Sequence, residues 1–326
     1  MTYSSGGLIQ ATDYNGFVST TSGGNINAVW NSTYGQTALA TVSAAGVVTA
    51  TQWASLNNTL TTIGNHQGTT LTSRTSPTAG NTITILSNLG TDLTTVNNNK
   101  YYAYASGSQV INWTGTASQT GQTGNRNSAW TITFTDTVTF ANATAATNFF
   151  SAGGLFKIQF HKSSTGTSAD TDWNNFVNNV CGTVYFTADA SSKVIASTTY
   201  LGTKVVGGSG TPTVGTAIGF NQLTGSAQTI YQQYDTTYNY TGDYVQVQAY
   251  YSAPTLTFVT YWYSAARSTS APNRNISGGT ATSPGTVSFG TAPTTVVTYL
   301  PPETTYLTGV WGTPTIASSV SATPYA

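Results

Sequence analysis

Few side chains in this 326-residue sequence could carry chemistry, and its two histidines, His66 and His161, come first. Serine is abundant, so either histidine could in principle join a Ser–His–Asp arrangement. No Gly-x-Ser-x-Gly elbow accompanies them. His66 falls at the end of a predicted helix, where capping is the usual role, and His161 falls at the end of a predicted strand beside Lys162. We therefore predict that neither histidine is catalytic.

The other side chains that could carry chemistry are one cysteine and one close pair of carboxylates. Cys181 follows Val180 at the end of an apolar helix face, which favours a small buried hydrophobe over a nucleophile. Asp170 and Asp172 could bind calcium or serve a glycosidase, but the Gly and the closing Glu of a calcium loop are missing. A helix N-terminus explains both carboxylates more simply. The sequence predicts no enzyme, no cofactor and no metal site.

The aromatic residues offer a better candidate for function than the titratable ones. Tyr231, Tyr234, Tyr238, Tyr240 and Tyr244 lie close together among Gln and Asn residues. Such a surface could bind a sugar, because aromatic rings stack on sugar faces while amides hydrogen-bond to hydroxyl groups. The same residues could instead form a sheet face or a subunit interface, where Tyr is also enriched, and this alternative is favoured.

Charge is the unusual feature of the composition. Only 6% of the residues are charged, with nine Lys and Arg against nine Asp and Glu, whereas soluble chains carry about 25%. Because no cations cluster, we predict no nucleic-acid partner. No apolar run is long enough to span a membrane, and residues 1–7 lack the features of a signal peptide, so we predict neither membrane insertion nor secretion. With few titratable groups, stability should depend weakly on pH.

The elements that must position these residues begin with an irregular arm over residues 1–48 and a helical hairpin. Thr49 and Gln52 have the spacing of a capping box, and Gly64 or Gly68 should end the first helix. A second helix should end at the Asn triplet 97–99. The apolar stripes of the two helices could cover each other, which is favoured, or they could face symmetry-related copies of the chain in a short coiled coil. We predict that region 1–100 docks the protein through these apolar stripes: Trp53, Leu56, Leu60 and Ile63, then Leu86, Leu89, Leu93 and Val96.

From residue 101 the apolar period changes to two, as at Trp130, Ile132 and Phe134, which indicates strands with one buried face. The sequence predicts a mainly β protein, with a β-sandwich over 101–270 that contains a long Gly-rich loop at 204–227. One helix that begins near Ser168 and ends at Gly182 should pack on the sandwich. Region 271–326 is predicted to be an extended C-terminal tail that lies along a neighbouring surface through its aromatic residues, namely Tyr299, Tyr306, Trp311 and Tyr325.

Four groups of segments, spread over nearly the whole chain, resemble parts of an uncharacterised group of virion structural proteins of tailed phages that infect cyanobacteria and other aquatic bacteria. The first group is 7–17 (GLIQATDYNGF), 25–30 (NINAVW) and 34–37 (YGQT). The others are 48–56 (VTATQWASL) with 66–69 (HQGT), 149–154 (FFSAGG), which should open a strand, and 301–307 (PPETTYL) with 311–314 (WGTP).

The resemblance implies a particle component that is made in the cytoplasm of the infected host, and it carries over no functional residue. We expect a neck or tail protein of the fibre or collar type, which docks through its N-terminal region and projects the sandwich beside other virion proteins. A homo-oligomer is expected, and a trimer is preferred by analogy with other fibre-like parts. The alternatives are a receptor-binding module for host polysaccharide, a capsid decoration protein and, least favoured, an enzyme that degrades the host surface.

Overall fold

The computed structural model of the chain contains six α-helices within the residues that it describes. The helices are α1 (Ala11–Val18), α2 (Ile26–Trp30), α3 (Ala50–Gln67), α4 (Leu89–Asn98), α5 (Ala143–Ser151) and α6 (Ser168–Asn175), the last continued by a π-helical turn, Phe176–Val180; a 3-10 turn spans Phe220–Gln222. The described residues are 10–19, 25–78, 88–102, 114–120, 124–125, 130–163, 168–190, 193–195, 198–236, 241–265, 286–287 and 293–323.

Two antiparallel sheets form the body of the protein, which confirms the predicted mainly β class and the β-sandwich. The five-stranded sheet has the order β1 (Thr114–Thr120), β14 (Thr294–Leu300), β4 (Leu155–His161), β5 (Thr183–Phe186) and β8 (Thr203–Val206). The six-stranded sheet has the order β15 (Thr315–Thr323), β3 (Trp130–Thr139), β12 (Thr255–Ser264), β11 (Tyr244–Ser252), β10 (Gln228–Tyr234) and β9 (Thr213–Val214). Two small ribbons pair β2 (Gly124–Asn125) with β13 (Thr286–Val287), and β6 (Lys193–Ile195) with β7 (Thr198–Tyr200).

Aromatic rings from both sheets meet in the core of the sandwich. Phe156 of the five-stranded sheet lies 5.6 Å from Phe258 of the six-stranded sheet, measured between ring centroids, and both side chains are fully buried. Helix α5 adds Phe150, whose ring stacks on Phe220 at 4.2 Å. Helix α6 packs as predicted, because Trp173 stacks on Trp262 at 5.7 Å. Ring contacts therefore help to hold the sheets together, because edge and stacked contacts add to the free energy of burial.

The N-terminal helices follow the predicted pattern, but their apolar stripes are not exposed. The Thr49 hydroxyl accepts from the Gln52 backbone N–H and the Gln52 side chain accepts from the Thr49 backbone N–H, so the capping box is confirmed; Gly68 ends α3 at φ +65°. Helices α1 and α2 cover the stripes together with α3 and α4; for example, the Trp53 ring packs edge-on against Tyr14. The stripe residues that the structure describes are at most 1% exposed: Trp53, Leu56, Leu60, Ile63, Leu89, Leu93 and Val96.

These stripes belong to the protein's own core, so the prediction that they dock the protein onto a particle is wrong for those seven residues. The eighth, Leu86, lies outside the described residues. The predicted arm is also partly helical, since α1 and α2 fall within it. Burial of the stripes within the chain fits the hairpin alternative, in which the helices cover each other. It does not fit a coiled coil, in which the stripes would be exposed on a single chain.

The C-terminal region differs from the predicted extended tail. Strand β14 lies between β1 and β4, and β15 forms one edge of the six-stranded sheet. Between these strands, the Gln36 side-chain amide donates to the Thr308 carbonyl and accepts from the Thr308 N–H, at 3.0 Å each, and Trp311 is buried. Tyr299 is buried and Tyr306 is half-buried, whereas Tyr325 lies outside the described residues. These contacts are made within the chain rather than on a neighbouring surface.

Two further segments differ from the sequence-based expectation. Residues 149–151 end helix α5, whose N-cap Asn142 accepts from the Ala145 N–H, so the following strand opens at Leu155 rather than at Phe149. The predicted Gly-rich loop at 204–227 contains most of β8, all of β9 and the 3-10 turn. Short elements of two to four residues carry too little periodicity to be predicted from sequence.

Candidate functional site

The outer face of the six-stranded sheet is a broad surface on which the described side chains carry no charge. It is built from register rows that cross the strands, because residues two apart on a strand share a face. We call this surface the neutral face; its described members are Gln232, Tyr234, Tyr244, Gln246, Gln248, Tyr250, Val259, Tyr261, Tyr263, Thr131, Thr133, Thr135, Thr137, Ala317, Ser319 and Ser321.

A row of three tyrosines crosses one end of the neutral face. Tyr234, Tyr244 and Tyr263 are partners on β10, β11 and β12. The Tyr234 and Tyr244 rings meet edge-on with centroids 5.4 Å apart, and the Tyr244 and Tyr263 rings stack at 4.7 Å. Tyr234 at the end of the row is 49% exposed. The row therefore presents a prearranged aromatic surface across three strands.

Glutamine amides lie beside this row and are linked by side-chain hydrogen bonds. The Gln232 amide donates to the Tyr234 hydroxyl at 3.0 Å, and the Gln248 amide donates to Gln246 Oε1 at 3.3 Å. The Tyr261 hydroxyl donates to Gln248 Oε1 at 3.5 Å. A glutamine has two N–H donors and two acceptor lone pairs, so one bond leaves hydrogen-bonding capacity for a ligand.

The predicted tyrosine cluster is only partly brought together. Tyr234 and Tyr244 lie on the neutral face, whereas Tyr238 and Tyr240 lie outside the described residues. Tyr231 is fully buried, stacks on Phe160 at 5.6 Å and donates its hydroxyl to the Cys181 carbonyl at 2.8 Å. Its prediction as an interface or glycan contact is wrong, because Tyr231 and Tyr234 are three residues apart and so point to opposite faces of the strand.

Sequence reasoning missed Tyr261 and Tyr263, which extend the cluster onto β12. The signal was present, because the apolar alternation of Phe258 and Trp262 assigns the odd-numbered residues of this strand to the opposite face. Tyr244 and Tyr263 are neighbours only through the antiparallel register of β11 and β12. Which residues meet across strands depends on that register, which alternation alone does not specify.

A buried carboxylate lies beneath the part of the neutral face that β3 and β15 form. Asp136 lies on the inner side of β3, fully buried, opposite Ser318 of β15 and Phe258 of β12. Burial raises the pKa of Asp136 to about 6, although the Ser318 hydroxyl, which donates to Oδ1, partly offsets this. The carboxyl group therefore belongs to the interior of the sandwich rather than to the surface.

The histidines, the cysteine and the aspartates that could carry chemistry lie on separate elements. His66 is buried on α3, where its ring packs edge-on against Tyr34 at 5.2 Å, and His161 is exposed at the end of β4. Cys181 is buried as predicted, and burial raises the pKa of its thiol to about 12, which disfavours the thiolate that a nucleophile needs. Asp172 lies within the first turns of α6. Among the described residues, no group of three potential ligands could hold a metal ion.

Two open grooves lie away from the neutral face. A groove of about 630 Å³ at the end of α3 has Arg74 as its only charged lining residue, and Arg74 is paired with Asp92. A groove of about 600 Å³ between β8 and β9 has Lys204 as its only charged lining residue. Neither groove combines an acid with a base, so neither offers a general acid–base pair.

No helix among the described residues is both long and apolar enough to cross a membrane. No protein-family model, no curated protein and no solved structure matches the chain.

Proposed function

We propose that this chain is a structural protein of a tailed-phage virion, of the neck or tail fibre or collar type. The observation that carries the proposal is the neutral face, a wide surface of Tyr, Gln, Thr and Ser on a sandwich with an aromatic core. Such a face can form extensive contacts without desolvating ions, whose removal from water is costly. The four groups of segments that resemble virion proteins also support it.

Docking onto the particle needs another surface than the helix stripes. The segment 37–49, which precedes α3, is mostly exposed, and Val47 within it is 83% exposed. An extended, exposed segment can lie along the surface of a partner. The proposal therefore places the attachment on this segment and leaves the sandwich projecting, as a homo-oligomer for which a trimer is preferred by analogy.

Immunogold labelling of intact phage particles tests this function, with antibodies raised against the recombinant chain. Label at the neck or tail is expected, and its position separates a connector from a fibre tip. Uniform label over the head would instead favour a capsid decoration protein. Absence of label on both intact and partly disrupted particles would overturn the virion assignment.

A receptor-binding module is the second candidate, favoured by one observation. Tyr234 is 49% exposed at the end of an ordered aromatic row, beside the amide of Gln232. Exposed aromatic rings beside amides suit the recognition of sugars, which present apolar ring faces and hydroxyl groups together. This candidate makes the same chain a virion component with a host-facing role.

A further inference from the structure

The neutral face differs from most protein surfaces in how it would select a ligand. Its described side chains offer rings, amides and hydroxyl groups but no ion, so Coulomb attraction contributes little to any encounter. The nearest acidic groups at the tyrosine end, Asp235 and Asp243, are buried, and Asp243 accepts from the Ser264 hydroxyl. Among the described side chains of this end, a polyanion would find no cation to pair with, whereas a neutral ligand needs none.

The tyrosine row has the dimensions of a short stretch of carbohydrate. It crosses three strands, which places its outer members roughly 10 Å apart at the usual strand spacing. That length matches two successive pyranose rings. Because Tyr244 and Tyr263 already stack on each other, their free edges and the exposed ring of Tyr234 form the contact surface.

The amides beside the row supply polar contacts at fixed positions. Gln232 is held by the Tyr234 hydroxyl and Gln248 is held by Gln246, so little side-chain freedom remains to be lost on binding. Each amide keeps donors and acceptors for the paired hydroxyl groups of a sugar. Rings and preordered amides on one rigid sheet form a binding surface that needs no loop closure.

We propose that the tyrosine end of the neutral face binds a neutral polysaccharide, with Tyr234 stacking on one sugar ring, the free edge of the Tyr263 ring contacting the next, and Gln232 and Gln246 binding hydroxyl groups. The inference deepens the receptor-binding candidate and rests on the proposed virion function only for its biological meaning. A second copy of the chain is the competing occupant. It is disfavoured because closing a protein interface over Gln232, Gln246 and Gln248 would require a partner for every buried amide group.

Binding is measured with the purified full-length chain on immobilised neutral glycans (laminarin, mannan, dextran and soluble starch), with alginate and heparin as charged comparisons. We expect binding to at least one neutral glycan and not to the charged ones, with little dependence on salt. Tyr234→Ala and Tyr263→Ala should each weaken binding roughly 2- to 12-fold. Tyr185→Ala is the matched control, because Tyr185 is a half-buried tyrosine on the other sheet.

Three outcomes would overturn the proposal: no binding to any neutral glycan, binding that is strongest for alginate or heparin, or binding that Tyr234→Ala and Tyr263→Ala leave unchanged. Analytical ultracentrifugation of the same variants identifies the competing occupant. Self-association that these two substitutions abolish, without glycan binding, would assign the face to an interface between copies. Thermal unfolding of each variant ensures that a loss of binding is not a loss of fold. Particle labelling is independent of these measurements, so failure of this inference and failure of the virion assignment remain distinguishable.

Discussion

The outer faces of the two sheets carry different chemistry although both belong to one weakly charged chain. The five-stranded sheet has one register row that contains Thr298, Lys157, Tyr185 and Lys204, and His161 lies at the end of β4. The neutral face has no such row. Lys204 lies on the edge strand β8, where a lysine opposes the addition of a further strand. The comparison indicates that cationic side chains interrupt the outer face of the five-stranded sheet, whereas the described side chains of the neutral face present no charge.

The largest effect should come from the core that both sheets share. Phe156→Ala and Phe258→Ala should each lower the free energy of unfolding by about 3–5 kcal/mol, because each leaves a cavity among buried rings. The double variant should cost less than the sum, since the two rings contact each other. Urea unfolding of the unmodified protein, the two single variants and the double variant measures these losses of free energy. Additive losses would show that the sheets are stabilised independently of this contact.

A pH-dependent effect should come next, from the carboxylate beneath the neutral face. The pKa of Asp136 is raised to about 6 in the fold, so the folded state binds this proton more tightly than the unfolded state does. The contribution of this group to the free energy of unfolding should therefore be fully present below about pH 4, decline by about 2–3 kcal/mol as pH rises through 6, and be lost above about pH 7. Asp136→Asn should remove this dependence. Equal pH profiles for the two proteins would contradict the raised pKa.

A smaller effect should separate the inner and outer sides of one strand. Tyr231→Phe removes the hydroxyl that donates to the Cys181 carbonyl and should cost about 1 kcal/mol, because the buried acceptor loses its partner. Tyr234→Phe, on the exposed side, should change stability by less than about 0.5 kcal/mol. Thermal unfolding of the pair measures the difference. A larger loss for Tyr234→Phe would mean that the assignment of faces is reversed.

The smallest effect on stability should come from matched charges on the two outer faces. Gln246→Glu on the neutral face and Gln159→Glu on the five-stranded sheet should each change the free energy of unfolding by less than about 0.5 kcal/mol. Only Gln246→Glu should weaken glycan binding, since it places a charge and removes donors beside the tyrosine row. Equal weakening by both variants would remove the functional distinction between the faces.

Local signals in the sequence predicted the local elements well. The spacing of Thr49 and Gln52 located the start of α3, and the alternation of Ile132 and Phe134 identified β3 and its inner face. Helix α5 was missed because its two phenylalanines, Phe149 and Phe150, directly precede a strand and were assigned to it. Capping boxes and alternation are encoded over a few residues, and for that reason they can be recognised from one sequence.

Pairings between distant residues could not be predicted in the same way. Strand β15 has only two large apolar residues, Ile316 and Val320, and its place beside β3 depends on backbone hydrogen bonds to residues far away in the chain. In β14 the adjacent Val296 and Val297 break strict alternation. The tyrosine row likewise depends on how three strands align. These features follow from sheet order and register, to which propensity and composition contribute little.

The position of β14 and β15 in the two sheets has a consequence for how the protein is made. Translation proceeds from the N-terminus, so β3 and β4 leave the ribosome long before residues 294–323, which complete their pairing. Until then each sheet has an open edge that could pair with another nascent chain. A product terminated before residue 294 would keep both edges open. The strand order of both sheets is thus completed only after residues 294–323 have been synthesised.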